Sequence, residues 1–261
     1  MLHFLALLAI SLLVIESFML FLWILYILQR NVSLVDIGWG ICFIIAALVD
    51  FSLGDGFFWR RFFMLALASV WAGRLVYHLI QRYHPAQDDP RYAKVLKSPY
   101  FKGPDSIKVL SLYLIQGLLA AIISIPFAIM AENDFPYFYT LEMFGLIVWM
   151  IGLAGEGIAD YQLARFRAHP ENRGRVLQTG FWKYSRHPNY FFEWVVWIGF
   201  AILALGSPWG FLALVSPVII IYLLLKVSGV TITEEQLVST KGVAYEEYQS
   251  KTSTFLPWFP R

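Results

Sequence analysis

Seven stretches of the chain each carry about the 20 predominantly apolar residues that a helix needs to cross a roughly 30 Å hydrocarbon core, and polar segments separate them. Hydrophobic residues make up 59% of the chain and charged ones 15%. Soluble domains hold at most about half apolar and about a quarter charged residues, so an ordinary soluble globule is excluded. Helices are predicted at about 2–28, 33–52, 57–83, 107–131, 139–165, 190–206 and 209–228, with an amphipathic stretch at about 232–249 that lies against the membrane face. The expected fold is all-α, a polytopic membrane protein of seven transmembrane helices in a single domain, 1–261. The first apolar run lacks a basic n-region and a small-residue cleavage site, so it reads as a retained helix and not a signal peptide. The 10 Trp and 14 Tyr suit a chain with two membrane interfaces to occupy. Cys42 is alone, which excludes an intramolecular disulfide and a cysteine zinc cluster. A net charge of +2 gives no reason to expect nucleic acid.

The distribution of charge says more than its sum. Arg91, Lys94, Lys97 and Lys102 lie between the third and fourth predicted helices, and Arg167, Arg173, Arg175, Lys183 and Arg186 between the fifth and sixth. The connector between the fourth and fifth carries Glu132 and Asp134. Cytoplasmic loops are enriched in Lys and Arg, so the two basic loops and the C-terminal segment are expected in the cytoplasm. Seven spans then place the N-terminus outside. Arg60 and Arg61 fall near the outer end of the third helix, where long side chains are expected to snorkel to the interface.

Ionisable residues at membrane depth cost at least about 2.5 kcal/mol each and face a cavity or a partner. Asp36 lies near the cytoplasmic end of the second helix. Arg74, His78 and Arg82 recur every fourth residue on one face of the third, beside Tyr77. Gln116 sits inside the fourth helix, and Glu156 and Asp160 share a face of the fifth. A dry bundle gains little from so many desolvated ions. A polar cavity opening to the cytoplasm accounts for them better. The densest signal runs from Asp160 to Glu193, where Arg165, Arg167, Arg173, Arg175 and Arg186 supply multidentate donors suited to phosphate. Asn189 and Glu193 stand four apart at the start of the sixth helix, and Pro188 suits its entrance. Such a set fits a ligand carrying phosphate together with ribose or amide groups.

At these residues the chain resembles the steroid 5α-reductase superfamily of membrane reductases, and within it the bacterial branch. The matching positions are Asp160-Tyr161, Arg167 and Arg175, Gly180-Phe181, Tyr184, and the pair Asn189 and Glu193. The resemblance implies a seven-helix fold that holds NADPH in a cytoplasm-facing pocket, with the cofactor-binding half at about 139–261. It implies cofactor contacts from Asp160, Arg167, Arg175, Tyr184, Asn189 and Glu193, and Arg74, Arg173, Arg186, His187 and Tyr245 are further cofactor-binding candidates. It implies hydride transfer to an activated C=C bond of a lipid or sterol-like substrate, with Asp36 and Tyr77 as catalytic candidates and His78 as a proton relay. The implied location is a bacterial inner membrane, in contact with membrane lipids. The family's Gln-Glu-x-Pro motif is replaced here by Val35-Asp36-Ile37-Gly38. Arg186-His187-Pro188 and the later Glu234-Glu235 are also similar to the isoprenylcysteine and phospholipid methyltransferases, which use S-adenosylmethionine. In that alternative, Glu234 or Glu235 lies near the adenosyl moiety and Arg186 and His187 near its amino-acid end. A third alternative is a non-enzymatic lipid-binding protein whose arginines grip headgroups.

Overall fold

The apolar runs all form helix, because within hydrocarbon every backbone polar group has to be satisfied inside its own segment. In a computed structural model, residues 2–84, 92, 96–98, 102–227 and 229–260 are described. Arg91 and Lys94 lie outside them. The helices are α1 (Leu2–Gln29), α2 (Leu34–Leu53), α3 (Phe58–Arg82), α4 (Asp105–Ile123), α5 (Ile125–Ala131), α6 (Thr140–Ala168), α7 (Pro188–Leu205), α8 (Val215–Tyr222), α9 (Val230–Lys241) and α10 (Val243–Lys251). No strand occurs among the described residues. Among the described residues, seven helical segments are long and apolar enough to cross a membrane: α1, α2, α3, α4, α6, α7 and Gly210–Lys241. The chain is an integral, multi-pass membrane protein.

Two of the expected spans are less regular than their composition suggests. The fourth, expected as one helix over about 107–131, breaks at Ser124 into α4 and α5. Pro126 follows that break, and its ring and missing N–H make a continuous helix costly. The Ser124 hydroxyl donates to the Ala120 carbonyl (2.7 Å) as the chain turns. The seventh begins as a 3-10 turn, Gly210–Leu214, after Trp209 in the left-handed region (φ 63°), continues as α8 and loosens into a π turn at Leu223–Val227. Pro188 opens α7, as its fixed φ and absent donor favour. The stretch expected to be amphipathic at about 232–249 is two helices, α9, the last part of the Gly210–Lys241 segment, and α10, divided at Gly242 with φ +55°.

The helices fall into two compact units. One comprises Met1–Tyr139 and Ala204–Val215, the other Thr140–Leu203 and Ser216–Arg261. In the first, α2 packs on α3 and α1 packs on α4 and α2. Its core is aromatic and aliphatic, with Phe43 edge-on to Trp71 (5.1 Å) and both fully buried. Leu13, Phe21 and Leu28 of α1 remain exposed, the pattern of a lipid-facing helix. One end of this unit is organised by Arg60, and here the sequence expectation is corrected. Arg60 does not snorkel outward but is fully buried. It donates to the carbonyls of Asn133 (3.1 Å), Phe135 (2.7 Å) and Tyr137, and lies 5.5 Å from the ring centres of Phe138 and Tyr139. The reason is local: the 133–139 connector presents otherwise unsatisfied carbonyls and aromatic faces to the first turn of α3, and a guanidinium meets both.

In the second unit α6 and α7 cross at close range. A Cβ at Gly152 would meet the Val196 nitrogen at 2.6 Å, and one at Gly199 the Trp149 nitrogen at 2.6 Å. Helices in lipid associate through such small-residue contacts.

Candidate functional site

In the second unit the groups singled out from sequence converge at the start of α7. Asp160, near the end of α6, accepts from the Asn189 amide at 3.2 Å, so the two helices share an acid–amide pair. One turn further along α7, Glu193 accepts from the Trp197 indole (3.0 Å). The turn leading to α7 is fixed by Phe181 N donating to the Gln162 side chain (3.0 Å) and Trp182 Nε1 to the Ala159 carbonyl (3.1 Å).

Glu234 on α9 is a hub. Arg186 reaches its two oxygens through Nε (2.6 Å) and Nη2 (3.0 Å), a bidentate pair with both side chains largely buried. The remaining Arg186 donors go to the carbonyls of Gln249 (2.9 Å) and Thr252 (2.7 Å) and to Thr254 Oγ1 (2.8 Å). All five N–H groups of Arg186 are thereby satisfied within the protein. His187 Nε2 lies 3.2 Å from the same carboxylate, and Gln249 Nε2 and Tyr245 OH donate to it at 3.0 and 3.3 Å. The His187 ring stacks on Tyr190. Arg186 N donates to Ser253 O and Trp258 N to Tyr184 O, both at 2.9 Å, and Ser185 Oγ donates to Phe255 O at 2.8 Å. Residues 249–258 are thus strapped along the segment that precedes α7. Burial, and next the Glu234 charge, push the Tyr245 phenol up; burial, and next Tyr245, do the same for Tyr248.

The other arginines behave differently. Arg165 and Arg167 in the last turn of α6, and Arg173 and Arg175 before the turn at Gly180, are exposed. Lys241 Nζ donates to the Arg175 carbonyl, and Arg167 is near enough for its charge to act on Lys241. A cationic surface therefore forms from α6, the following loop and the end of α9.

In the first unit the catalytic candidates differ in exposure. Tyr77 is 64% exposed on α3, while Arg74 and His78 are half-buried on that helix. Asp36 instead receives the hydroxyl of Tyr92 at 2.5 Å, and Tyr92 is buried. Sequence reasoning missed Tyr92, which lies in the polar connector with no periodicity or motif to mark it. Nearby, Tyr113 donates to Val32 O (3.2 Å) and Asn31 Nδ2 to His84 O (2.9 Å), which ties the α1–α2 turn to the chain beyond α3.

A family described as a protein of unknown function, DUF1295, matches residues 22–252. The chain belongs to this family. DUF1295 is part of the steroid 5α-reductase-like group. An uncharacterized protein of Schizosaccharomyces pombe is 27% identical over 266 aligned positions, covering 90% of this chain and 75% of the relative. No solved structure gives a significant match.

Proposed function

We propose that the chain is a membrane reductase that uses NADPH to saturate an activated C=C bond in a lipid or sterol-like substrate. The observation that carries this reading is the Asp36–Tyr92 pair, a carboxyl and a phenol 2.5 Å apart in a largely apolar unit. Reduction of a carbon–carbon double bond conjugated to a carbonyl needs a hydrogen-bond donor at the carbonyl oxygen, where negative charge develops. The Tyr92 hydroxyl gives its one hydrogen to Asp36 in the resting structure, so donation to a substrate carbonyl requires the carboxyl to hold a proton. Asp36 then donates to the Tyr92 oxygen and the Tyr92 O–H turns to the substrate. Tyr92 takes the role that sequence gave to Tyr77.

The second unit has the donor set a dinucleotide requires. Arg167, Arg173, Arg175 and Lys241 offer cationic donors for phosphates, and the adjacent Asp160 and Asn189 offer an acid and an amide for ribose or carboxamide. When bound, NADPH supplies the hydride. The chain's own task is to hold the nucleotide, exclude water and deliver the proton. The methyltransferase alternative relies on Arg186, His187 and Glu234 to contact S-adenosylmethionine. Arg186 and His187 are both bonded to Glu234 here, as is Tyr245, which takes all three out of the cofactor contacts expected for the reductase as well. The cofactor side of the reductase reading therefore rests on the exposed cations and the Asp160–Asn189 pair. The basic surface is assigned to the cytoplasm and the start of α1 to the opposite side; reporter fusions at the two ends test that orientation.

The experiment is a thermal shift of purified protein. NADPH is expected to raise the melting temperature, with S-adenosylmethionine leaving it unchanged, and membrane lipid extract is then expected to drive loss of reduced-nicotinamide absorbance. Stabilisation by S-adenosylmethionine alone would overturn the proposal.

A further inference from the structure

The segment after α10 combines a firm backbone with apolar side chains that the described residues leave exposed. Leu256 is 58% exposed, Trp258 71% and Phe259 76%, with Pro257 and Pro260 beside them. Disorder does not explain this exposure. Trp258 N donates to Tyr184 O, and Phe259 stands edge-on to the Tyr184 ring at 6.0 Å. Phe255, one residue before the exposed run, is buried against Phe191 and Trp194 of α7, at 5.9 Å from each ring.

Those contacts fix the depth. Phe191 and Trp194 occupy the first two turns of a membrane-crossing helix that starts at Pro188. A helix rises about 1.5 Å per residue, so Phe255 sits within about 10 Å of the level at which α7 begins. The interfacial layer on each side of the hydrocarbon core is about 5–8 Å thick. With α7 entering the bilayer near Pro188, Leu256 to Phe259 leave the protein surface close to the membrane–water boundary, where Trp is enriched because its ring is apolar and its N–H wet. Lys183 Nζ stands 5.8 Å from the centre of the Tyr184 ring, which Phe259 also contacts, and adds a cation suited to anionic headgroups.

We infer that Leu256, Trp258 and Phe259 form an interfacial prong that inserts into the same bilayer the chain spans and pins the 249–258 strap against the start of α7. The occupant is the lipid headgroup layer. This anchoring is independent of which cofactor the second unit binds.

Cys42 is the single cysteine, so Cys42→Ala provides a background for site-specific labelling. Phe259→Cys, Leu256→Cys and, as a reference on the exposed face of α10, Glu247→Cys are each labelled with an environment-sensitive fluorophore. The protein is reconstituted in vesicles of phosphatidylcholine with phosphatidylglycerol. Labels at 256 and 259 are expected to show blue-shifted emission, quenched more by lipids spin-labelled near the headgroup than by lipids labelled near the chain end; the label at 247 is expected to emit as in water. Leu256 makes no ring contact, so its result stands even if Phe259→Cys loosens the tail. Water-like emission at both 256 and 259 would overturn the inference. So would a blue shift that grows with protein density at constant lipid composition, which would mark a contact between copies, or one that appears only when a soluble protein extract is added.

Discussion

Five arginines from the last turn of α6 to the start of α7 look alike in sequence and perform opposite tasks. Arg186 is 8% exposed and spends every donor on Glu234, Thr254 and two carbonyls. Arg165, Arg167, Arg173 and Arg175, only 11 to 21 residues earlier, lie at the surface. A buried guanidinium is tolerable only if its charge and all its N–H groups are answered, so Arg186 is committed to architecture. An exposed one keeps its hydration and remains able to exchange water for phosphate. The contrast separates what holds the second unit together from what is available to a ligand.

The largest effect is expected where that architecture is cut. Glu234→Ala leaves the Arg186 charge buried without its carboxylate, at a cost of about 3–5 kcal/mol. Thermal melting in detergent is expected to fall accordingly, and limited proteolysis to cleave the 249–258 strap. The double variant Arg186→Met, Glu234→Leu is expected to recover part of the loss, because it removes both charges together. An unchanged melting point for Glu234→Ala would show that the hub is not structural.

Next in size is Tyr92→Phe. Removing a positioned proton donor costs about 100-fold or more in rate, so turnover is expected to drop by that factor with NADPH binding unchanged and the melting temperature lowered modestly by the lost bond to Asp36. Tyr77→Phe, at an exposed position, is expected to be nearly silent. The reverse ranking would return the catalytic role to Tyr77.

What sequence made legible follows the same division. Composition and span length were enough for seven crossings, since burial in lipid enforces helix whatever the tertiary contacts. Pro188 marked the start of α7 because proline's preference is local. The break after Ile123 was also locally encoded, by Pro126, but a hydropathy window averages over it. Arg60 was misread because its partners are backbone carbonyls 73 to 77 residues away, and carbonyls carry no residue-type signature. Asp160 and Asn189, singled out separately, meet at 3.2 Å. The Asp36–Tyr92 contact spans 56 residues, and the Arg186 partners lie 48 to 68 residues on. Such pairings are set by how helices assemble, which neither spacing nor periodicity expresses.

Arg173→Ala and Arg175→Ala sharpen the comparison from its exposed side. A charge-assisted hydrogen bond is worth about 1.5–3 kcal/mol, so each variant is expected to weaken NADPH about tenfold or more in a binding titration, more steeply at low salt. Melting of the ligand-free protein is expected not to move, because Lys241 grips the Arg175 backbone carbonyl, which alanine retains. A variant that lowered stability while sparing affinity would place these arginines with Arg186.

The smallest effect concerns pH and tests the buried side alone. Tyr245 OH donates to Glu234 and Tyr248 OH to Ser185 O and Trp182 O. Burial raises both phenols above their ordinary value of 10.0. Above about pH 10 the unfolded chain releases these protons while the folded one retains them, so stability is fully present below that pH and declines as pH rises through the window above it. Ionisation there would also set a phenolate beside the Glu234 carboxylate. Melting temperature measured against pH is expected to bend downward in the alkaline range, and Tyr245→Phe with Tyr248→Phe is expected to flatten that limb while lowering the neutral-pH value slightly through the lost hydrogen bonds. An alkaline limb of unchanged steepness in the double variant would mean that the knot around Arg186 does not depend on protonated phenols, and that Glu234, Gln249 and the strap carbonyls hold it by themselves.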